Sequence, residues 1–213
     1  MIKLAVLVSG GGTNLQAILD AVDCGALEAE VVVVLSNKPG ALALDRAARH
    51  GVPTHVIDHR GFPSREAFDQ AMVDVLRARG AEWVVLAGFM RIITPVFLDA
   101  FPSRVVNVHP ALLPAFPGAH AQAQALAYGV RFTGCTVHLV DAGTDTGPII
   151  AQAVVPVRED DTVESLTARI LTEEHALLPA VLQWISEGRV VVRPGAGGAR
   201  AEVRVLPVCY PGA

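Results

Sequence analysis

Short apolar runs recur along the first half of the chain, and each gives way to a stretch with helical spacing. Ile2-Lys3-Leu4-Ala5-Val6-Leu7-Val8, Val31-Val32-Val33-Val34-Leu35, Thr54-His55-Val56-Ile57, Trp83-Val84-Val85-Leu86-Ala87 and residues 104–109 have the length and β-branched content of strands buried on both faces. Between them, residues 15–22, 41–50 and 65–79 carry apolar positions at helical intervals, with Gly51 and Gly80 as stops. Ser64 is placed to cap the third of these helices, Thr13 or Asn14 to cap the first, and Thr94-Pro95 opens a short one. Strand and helix alternate with short connections, which predicts an α/β fold with a doubly wound, mostly parallel sheet.

The alternation changes after Pro110. Residues 111–118 form an apolar loop stiffened by Pro114 and Pro117, and residues 119–128 read as a helix ending at Gly129. Residues 133–140 and 148–157 are strands whose connection, residues 141–147, is too short for a crossover helix. They are therefore expected to be antiparallel neighbours. Asp160-Asp161-Thr162 opens a long helix to about residue 187. Residues 189–193 and 202–206 read as a peripheral hairpin around Pro194-Gly195-Ala196-Gly197-Gly198. The expected division is a main domain over 1–188 and a tail over 189–213.

Composition narrows the class. The chain has 213 residues, 52% hydrophobic and 18% charged, enough apolar side chain for a substantial core. A net charge of −4 without a basic stretch gives no nucleic-acid face. No apolar run approaches the roughly 18 residues that span a bilayer. Cys24, Cys135 and Cys209 have neither disulfide-framework nor zinc spacing, which fits a reduced, cytoplasmic protein.

Two stretches stand out chemically. In Val105-Val106-Asn107-Val108-His109-Pro110, Asn107 and His109 are two apart and share a face, and Pro110 ends the strand. That places an amide and an imidazole at the carboxyl end of a strand, the ligand-binding edge of an open parallel sheet. Alone, such a pair need only cap the following loop. Ser9-Gly10-Gly11-Gly12-Thr13-Asn14 joins the first strand to a helix N-terminus, where free backbone N–H groups and the helix dipole attract an anion. Leu15 stands where a dinucleotide fingerprint needs its third glycine, and the lysine of a P-loop is missing, so a phosphate monoester fits best. A plain tight turn is the alternative. The loop 88–93 leaves the same edge, and the loop with Asp141 and Asp145 reaches it if its hairpin lies beside the fifth strand.

No serine or cysteine sits in a nucleophile-elbow pattern, and His120 lacks companions for a metal site. An amide, an imidazole and a carboxylate without a nucleophile suit direct acyl transfer, in which the first two stabilise an oxyanion and the third manages a proton. His50 and His138 read as packing or surface residues; His120 and His175 are intermediate.

Ser9-Gly10-Gly11-Gly12-Thr13-Asn14-Leu15-Gln16-Ala17, Leu86-Ala87-Gly88-Phe89-Met90-Arg91-Ile92-Ile93, Asn107-Val108-His109-Pro110-Ala111-Leu112-Leu113-Pro114 and Asp145-Thr146-Gly147-Pro148-Ile149-Ile150 occur in one order. In this the chain resembles the folate-dependent phosphoribosylglycinamide formyltransferases of purine synthesis, up to about Arg189. The resemblance implies a Rossmann-like formyltransferase fold. It also implies transfer of a formyl group from 10-formyltetrahydrofolate to the amine of glycinamide ribonucleotide, with no metal. His109 would act as general acid, Asn107 would hold the formyl oxygen, and Asp145 would keep His109 charged and relay protons. Gly12, Thr13, Asn14 and Glu174 would bind the ribonucleotide. Arg65, Met90, Arg91, Ile92, Ile93 and Asn107 would bind the folate, with Asp141, Ala142, Gly143, Thr144 and Asp145 around its pterin. Leu171 departs from the polar residue common there, and Thr136 replaces a frequent serine. Partners are expected to be small molecules only, with the chain a monomer or weak homodimer. A tRNA-directed formyltransferase would need a basic face, a formyltetrahydrofolate hydrolase would need no phosphate cradle, and a non-catalytic nucleotide-binding module would not need Asn107, His109 and Asp145 together.

Overall fold

The computed structural model describes residues 1–193 and 201–207. Strands β1 (Ile2–Val8), β2 (Ala29–Ser36), β3 (Thr54–Val56), β4 (Trp83–Leu86), β5 (Val105–His109), β6 (Phe132–Leu139) and β7 (Ile149–Pro156) form one sheet in the order β3-β2-β1-β4-β5-β6-β7. The first five strands in chain order run parallel, and β6 and β7 are antiparallel to their neighbours, as the change of pattern after Pro110 predicted. Helices α1 (Thr13–Asp23), α2 (Leu42–Arg49), α3 (Arg65–Ala78), α4 (Pro95–Ala100), α5 (Ala121–Tyr128) and α6 (Val163–Ser186) connect or cover the strands.

The alternation of side chains along β1 sorts the core. Leu4, Val6 and Val8 join a cluster that includes Leu15 and Ile18 of α1 and Leu166, Ile170 and Leu178 of α6. Ala5 and Leu7 join a second cluster with Phe68, Met72 and Leu76 of α3 and Phe97 of α4. Both faces are thus covered, which is why the central strands lack polar alternation. The tail strands β8 (Val190–Arg193) and β9 (Glu202–Val205) pair antiparallel in a separate two-stranded sheet. Their Val190, Val192, Val203 and Val205 pack against the first cluster. The Pro194–Gly198 turn read from the sequence lies outside the described residues.

Two local expectations change. The first helix is capped by Gly12, at φ 71°, and not by the side chain of Thr13 or Asn14. Asn14 is drawn inward instead, where its Nδ2–H donates to Glu174 Oε2 at 2.7 Å, a long-range partner that outcompetes the local cap. The fifth helix starts at Ala121 and not at residue 119, because His120 is held at φ 60° as its N-cap.

Candidate active site

The parallel strands β1, β4 and β5 end at one edge of the sheet, bringing together the glycine loop, the loop after β4 and the Asn107/His109 pair. Ser9 ties the first two: its Oγ accepts the Met90 N–H at 2.9 Å and donates to Asn37 Oδ1 at 2.6 Å. Asn107 and His109 lie on the α3/α4 side of the sheet with Val105.

Asp145 reaches this pair by an unexpected route. Strand β6 runs back along β5, with Asn107 opposite His138 and Val106 opposite Leu139. The connection to β7 therefore starts level with Val105 and not beyond His109. It folds back over the face of the sheet to bring Asp145 onto the pair. Asp141 Oδ1 gathers the loop by accepting the Thr146 hydroxyl at 2.6 Å and the Gly143 N–H at 3.1 Å. Asp145 sits at φ 54°, a conformation that costs a non-glycine residue and clusters at functional sites. A side chain at Gly147 would fall on the Leu139 carbonyl, so only glycine lets the returning loop pass.

Asp145 is the hub of the resulting site. Its Oδ2 accepts the Gly118 N–H at 2.7 Å and faces His109 Nδ1 at 3.3 Å. Its Oδ1 lies 3.5 Å from Asn107 Nδ2 and 3.7 Å from His138 Nε2. His109 is buried, and its Nε2 must carry a hydrogen, because its partner at 2.8 Å is the Phe116 carbonyl. Both ring nitrogens thus face acceptors, an arrangement that a doubly protonated imidazole meets with both N–H groups.

His138, read from the sequence as packing or surface, is buried and its ring meets Asn107. It is only 1% exposed. Its Nδ1–H donates to the Leu139 carbonyl at 2.9 Å, so the neutral ring turns a lone pair on Nε2 toward Asn107 Nδ2, 3.1 Å away. Burial pushes the His138 pKa down, with His109 adding to that. The Leu139 carbonyl and the Asp145 carboxylate oppose the shift without reversing it. A neutral His138 fixes which end of the Asn107 amide faces it. One Asn107 N–H is then well held and the other only loosely, at 3.5 Å from Asp145. The signal in the sequence was Thr136 and His138 alternating on β6 as Asn107 and His109 do on β5. The β5–β6 register that makes them meet was not visible. On the other side of β6 the register with β7 shifts between Val137 and His138.

Thr136 supports the site from below. Its buried hydroxyl donates to the Ala111 carbonyl at 2.7 Å and accepts from the Leu113 N–H at 3.0 Å and from Gln152 Nε2 at 2.9 Å. Those bonds anchor the proline loop whose far end supplies Phe116 and Gly118 to His109 and Asp145. His120 is exposed at the start of α5.

The remaining candidates fall into two groups. Gly12, Thr13 and Asn14 open α1, and Asn14 bridges to Glu174 of α6. Glu174 is buried, which raises its pKa, and the Asn14 bond only partly offsets this. Leu171 lies one turn before it, half-buried. On the other side, Met90 and Ile92 are exposed apolar side chains, 74% and 56% accessible, on the loop that leaves β4. Arg91 lies over the Phe68 ring at 5.6 Å, and Arg65 is exposed at the start of α3. Ile93 points away, 6% exposed, and belongs to the core. Ala142, Gly143 and Thr144 are exposed on the returning loop. Among the described residues, no group of three or more His, Cys, Asp or Glu is placed to hold a metal ion, and no helix is long and apolar enough to cross a membrane.

A sheet whose strand ends carry an amide, an imidazole and a returning carboxylate is the setting of a one-carbon acyl transferase, and the chain belongs to the formyl transferase family, whose model matches residues 2–182. Within that family it groups with the phosphoribosylglycinamide formyltransferases. It is 49% identical over 191 residues to the Mycobacterium tuberculosis phosphoribosylglycinamide formyltransferase, covering 89% of this chain and 88% of that one. The crystal structure of glycinamide ribonucleotide transformylase 1 from Symbiobacterium toebii superposes with a TM-score of 0.93 at 51% identity, covering 97% of this chain and 95% of the other. The chain is also 47% identical over 194 residues to the trifunctional purine biosynthetic protein adenosine-3 of Drosophila melanogaster, matching 90% of its own length but spanning only 14% of that relative.

Proposed function

We infer that this chain transfers a formyl group from 10-formyltetrahydrofolate to the primary amine of glycinamide ribonucleotide, yielding formylglycinamide ribonucleotide and tetrahydrofolate in purine biosynthesis. The observation that carries this reading is the meeting of Asn107, His109 and Asp145 on one face, beside a glycine loop that opens a helix.

The amine attacks the formyl carbon, and negative charge develops on the formyl oxygen. The loosely held Asn107 N–H and a His109 N–H are the donors for that charge. Asp145 balances the positive imidazole and takes part in moving the amine's proton, while the departing folate nitrogen takes up a proton from the site. The His109 Nε2–H is bound to the Phe116 carbonyl, so the 116–118 segment must yield for that N–H to reach the oxygen. Gly12, Thr13 and Asn14 hold the phosphate through backbone N–H groups, and Glu174 faces the ribonucleotide. Met90, Arg91 and Ile92, the backbone of Ile93 and residues 141–145 form the folate slot. Arg65 lies at its outer end. Residues 1–188 carry this activity.

The test mixes purified chain with both substrates and follows the folate product by absorbance. Turnover that requires both supports the reading. Formate release without the amine would instead indicate a hydrolase, and no turnover would overturn the enzyme assignment.

A further inference from the structure

The glycine loop has no cation of its own between residues 9 and 14. One reaches it from α2. Arg46 Nε–H donates to the Gly11 carbonyl at 2.8 Å, and its Nη1–H donates to Gln16 Oε1 at 3.1 Å. Nearby, the Ala43 N–H donates to the Gly10 carbonyl at 3.1 Å. In a trans peptide the carbonyl and the following N–H point in opposite directions. Holding the Gly10 and Gly11 carbonyls against α2 therefore turns the Gly11 and Gly12 N–H groups away from α2, where the unpaired N–H groups of the first turn of α1 also open. The fit is tight: a Cβ at Gly12 would stand 2.5 Å from Ala43 Cβ and 3.5 Å from Arg46 Cδ.

The arginine is itself held in place. Both hydrogens of the Gln16 amide are used, one on Asp20 Oδ1 at 2.8 Å and one on His50 Nε2 at 2.9 Å, which leaves Gln16 Oε1 facing Arg46. His50 Nδ1–H in turn donates to Asp23 Oδ2 at 2.8 Å. The chain Asp23–His50–Gln16–Arg46–Gly11 ends on the peptide that presents the Gly12 N–H. Among the described residues Arg46 makes no ion pair with a carboxylate, so its charge is left to act on the loop.

We propose that Arg46 is the positioning residue of the phosphate cradle: by clamping the Gly11 carbonyl it aims the Gly12 N–H at the ribonucleotide phosphate and supplies the positive potential the loop lacks. This rests on the reading of the loop as a phosphate site. The class of ligand group it selects is a phosphate monoester dianion, which the dephosphorylated riboside lacks.

The experiment is steady-state kinetics of the full chain with glycinamide ribonucleotide and, separately, with glycinamide riboside. Arg46→Gln is expected to raise the ribonucleotide KM about tenfold, as loss of a charge-assisted contact does. Its kcat, its formylfolate KM and its activity on the riboside should change less than about twofold on the same scale. Arg46→Lys keeps the charge but cannot reach both oxygens, and it should recover part of the KM. A ribonucleotide KM unchanged in Arg46→Gln, or an equal loss on both substrates, would overturn the proposal. If Arg46→Gln proves unstable, Arg46→Lys decides alone: a KM rise confined to the ribonucleotide supports the clamp, and none removes it. Wild-type protein that fails to distinguish ribonucleotide from riboside would remove the phosphate reading itself, a result separable from any effect of Arg46.

Discussion

The two halves of the site are built by opposite means. The glycine loop is local and made of backbone: a strand ends, Gly12 adopts φ 71°, and α1 begins. The Asn107–His109–His138–Asp145 cluster is made of side chains drawn from β5, β6 and a returning loop, with 38 residues separating Asn107 from Asp145. Backbone N–H groups at a helix start suit a phosphate, whose charge is present before any reaction begins. An oxyanion that exists only in the transition state needs donors whose orientation and protonation are set by neighbours, and those neighbours arrive through tertiary contacts. The backbone of the loop is thus encoded within about one turn of chain, although Arg46 and Glu174 reach it from α2 and α6, while the side-chain cluster is assembled entirely across the sheet.

That contrast can be broken or sharpened by mutation. The largest effect is expected for His109→Ala, with kcat falling about 10³-fold because a positioned acid and oxyanion donor is lost, and with the ribonucleotide KM little changed. Steady-state kinetics on both substrates checks this; near-normal turnover would remove His109 from the chemistry. Gly12→Ala should do the reverse. The left-handed backbone disfavours a side chain, and the new Cβ meets Ala43, so the ribonucleotide KM should rise about 10- to 100-fold, with kcat held within about threefold. Equal losses in kcat and in kcat/KM would erase the division between binding and chemistry.

A smaller effect is expected for His138→Leu. Without the Nε2 lone pair the Asn107 amide loses its fixed orientation, and kcat should fall about tenfold, the scale of one misplaced donor. Because burial keeps His138 neutral, the pH–rate profile of this variant should keep its shape, with only its height reduced. A displaced profile would mean that His138 titrates in turnover.

The smallest expected effect is on stability. The folded-state pKa of Glu174 is raised by burial, so the folded chain holds this proton more tightly than the unfolded chain. Its contribution to stability is greatest below the unfolded carboxyl pKa, and it declines as pH rises through the interval up to the folded value. Glu174→Gln can keep the Asn14 bond without the buried charge. At neutral pH its Tm should rise by about 2–4 °C while ribonucleotide affinity falls. Calorimetry at neutral and acid pH tests the sign: the Tm gain should vanish in acid, and a gain independent of pH would mean that the charge is not the cause.

Much of the fold was legible because its signals are local. Buried strands in the first half read as apolar runs, Gly51, Gly80 and Gly129 marked helix ends, and the short 141–147 connection forced β6 and β7 to be antiparallel. The Asn107/His109 pair was legible from side-chain alternation, and Asp145 from the resemblance. The contact of His138 with Asn107 was not legible because a lone histidine in an apolar run looks the same whether it faces core or a polar cluster. Arg46 carried no signal at all, since nothing in α2 announces that its arginine lies against the glycine loop.

The chain's own pattern, then, determined the element order, the antiparallel pair, the sheet edge that carries the candidate site and the residue types able to stabilise an oxyanion. These follow from periodicity and from steric rules acting over a few residues. Only the tertiary structure decided that β6 pairs with β5 in the register that sets His138 against Asn107, and that the 140–148 loop folds back over the sheet. It alone turned Asn14 toward Glu174 and not into its own helix cap, and carried Arg46 to the Gly11 carbonyl. Each of these depends on which of several chemically suitable partners is brought within hydrogen-bonding distance, and packing between elements far apart in the chain settles that choice.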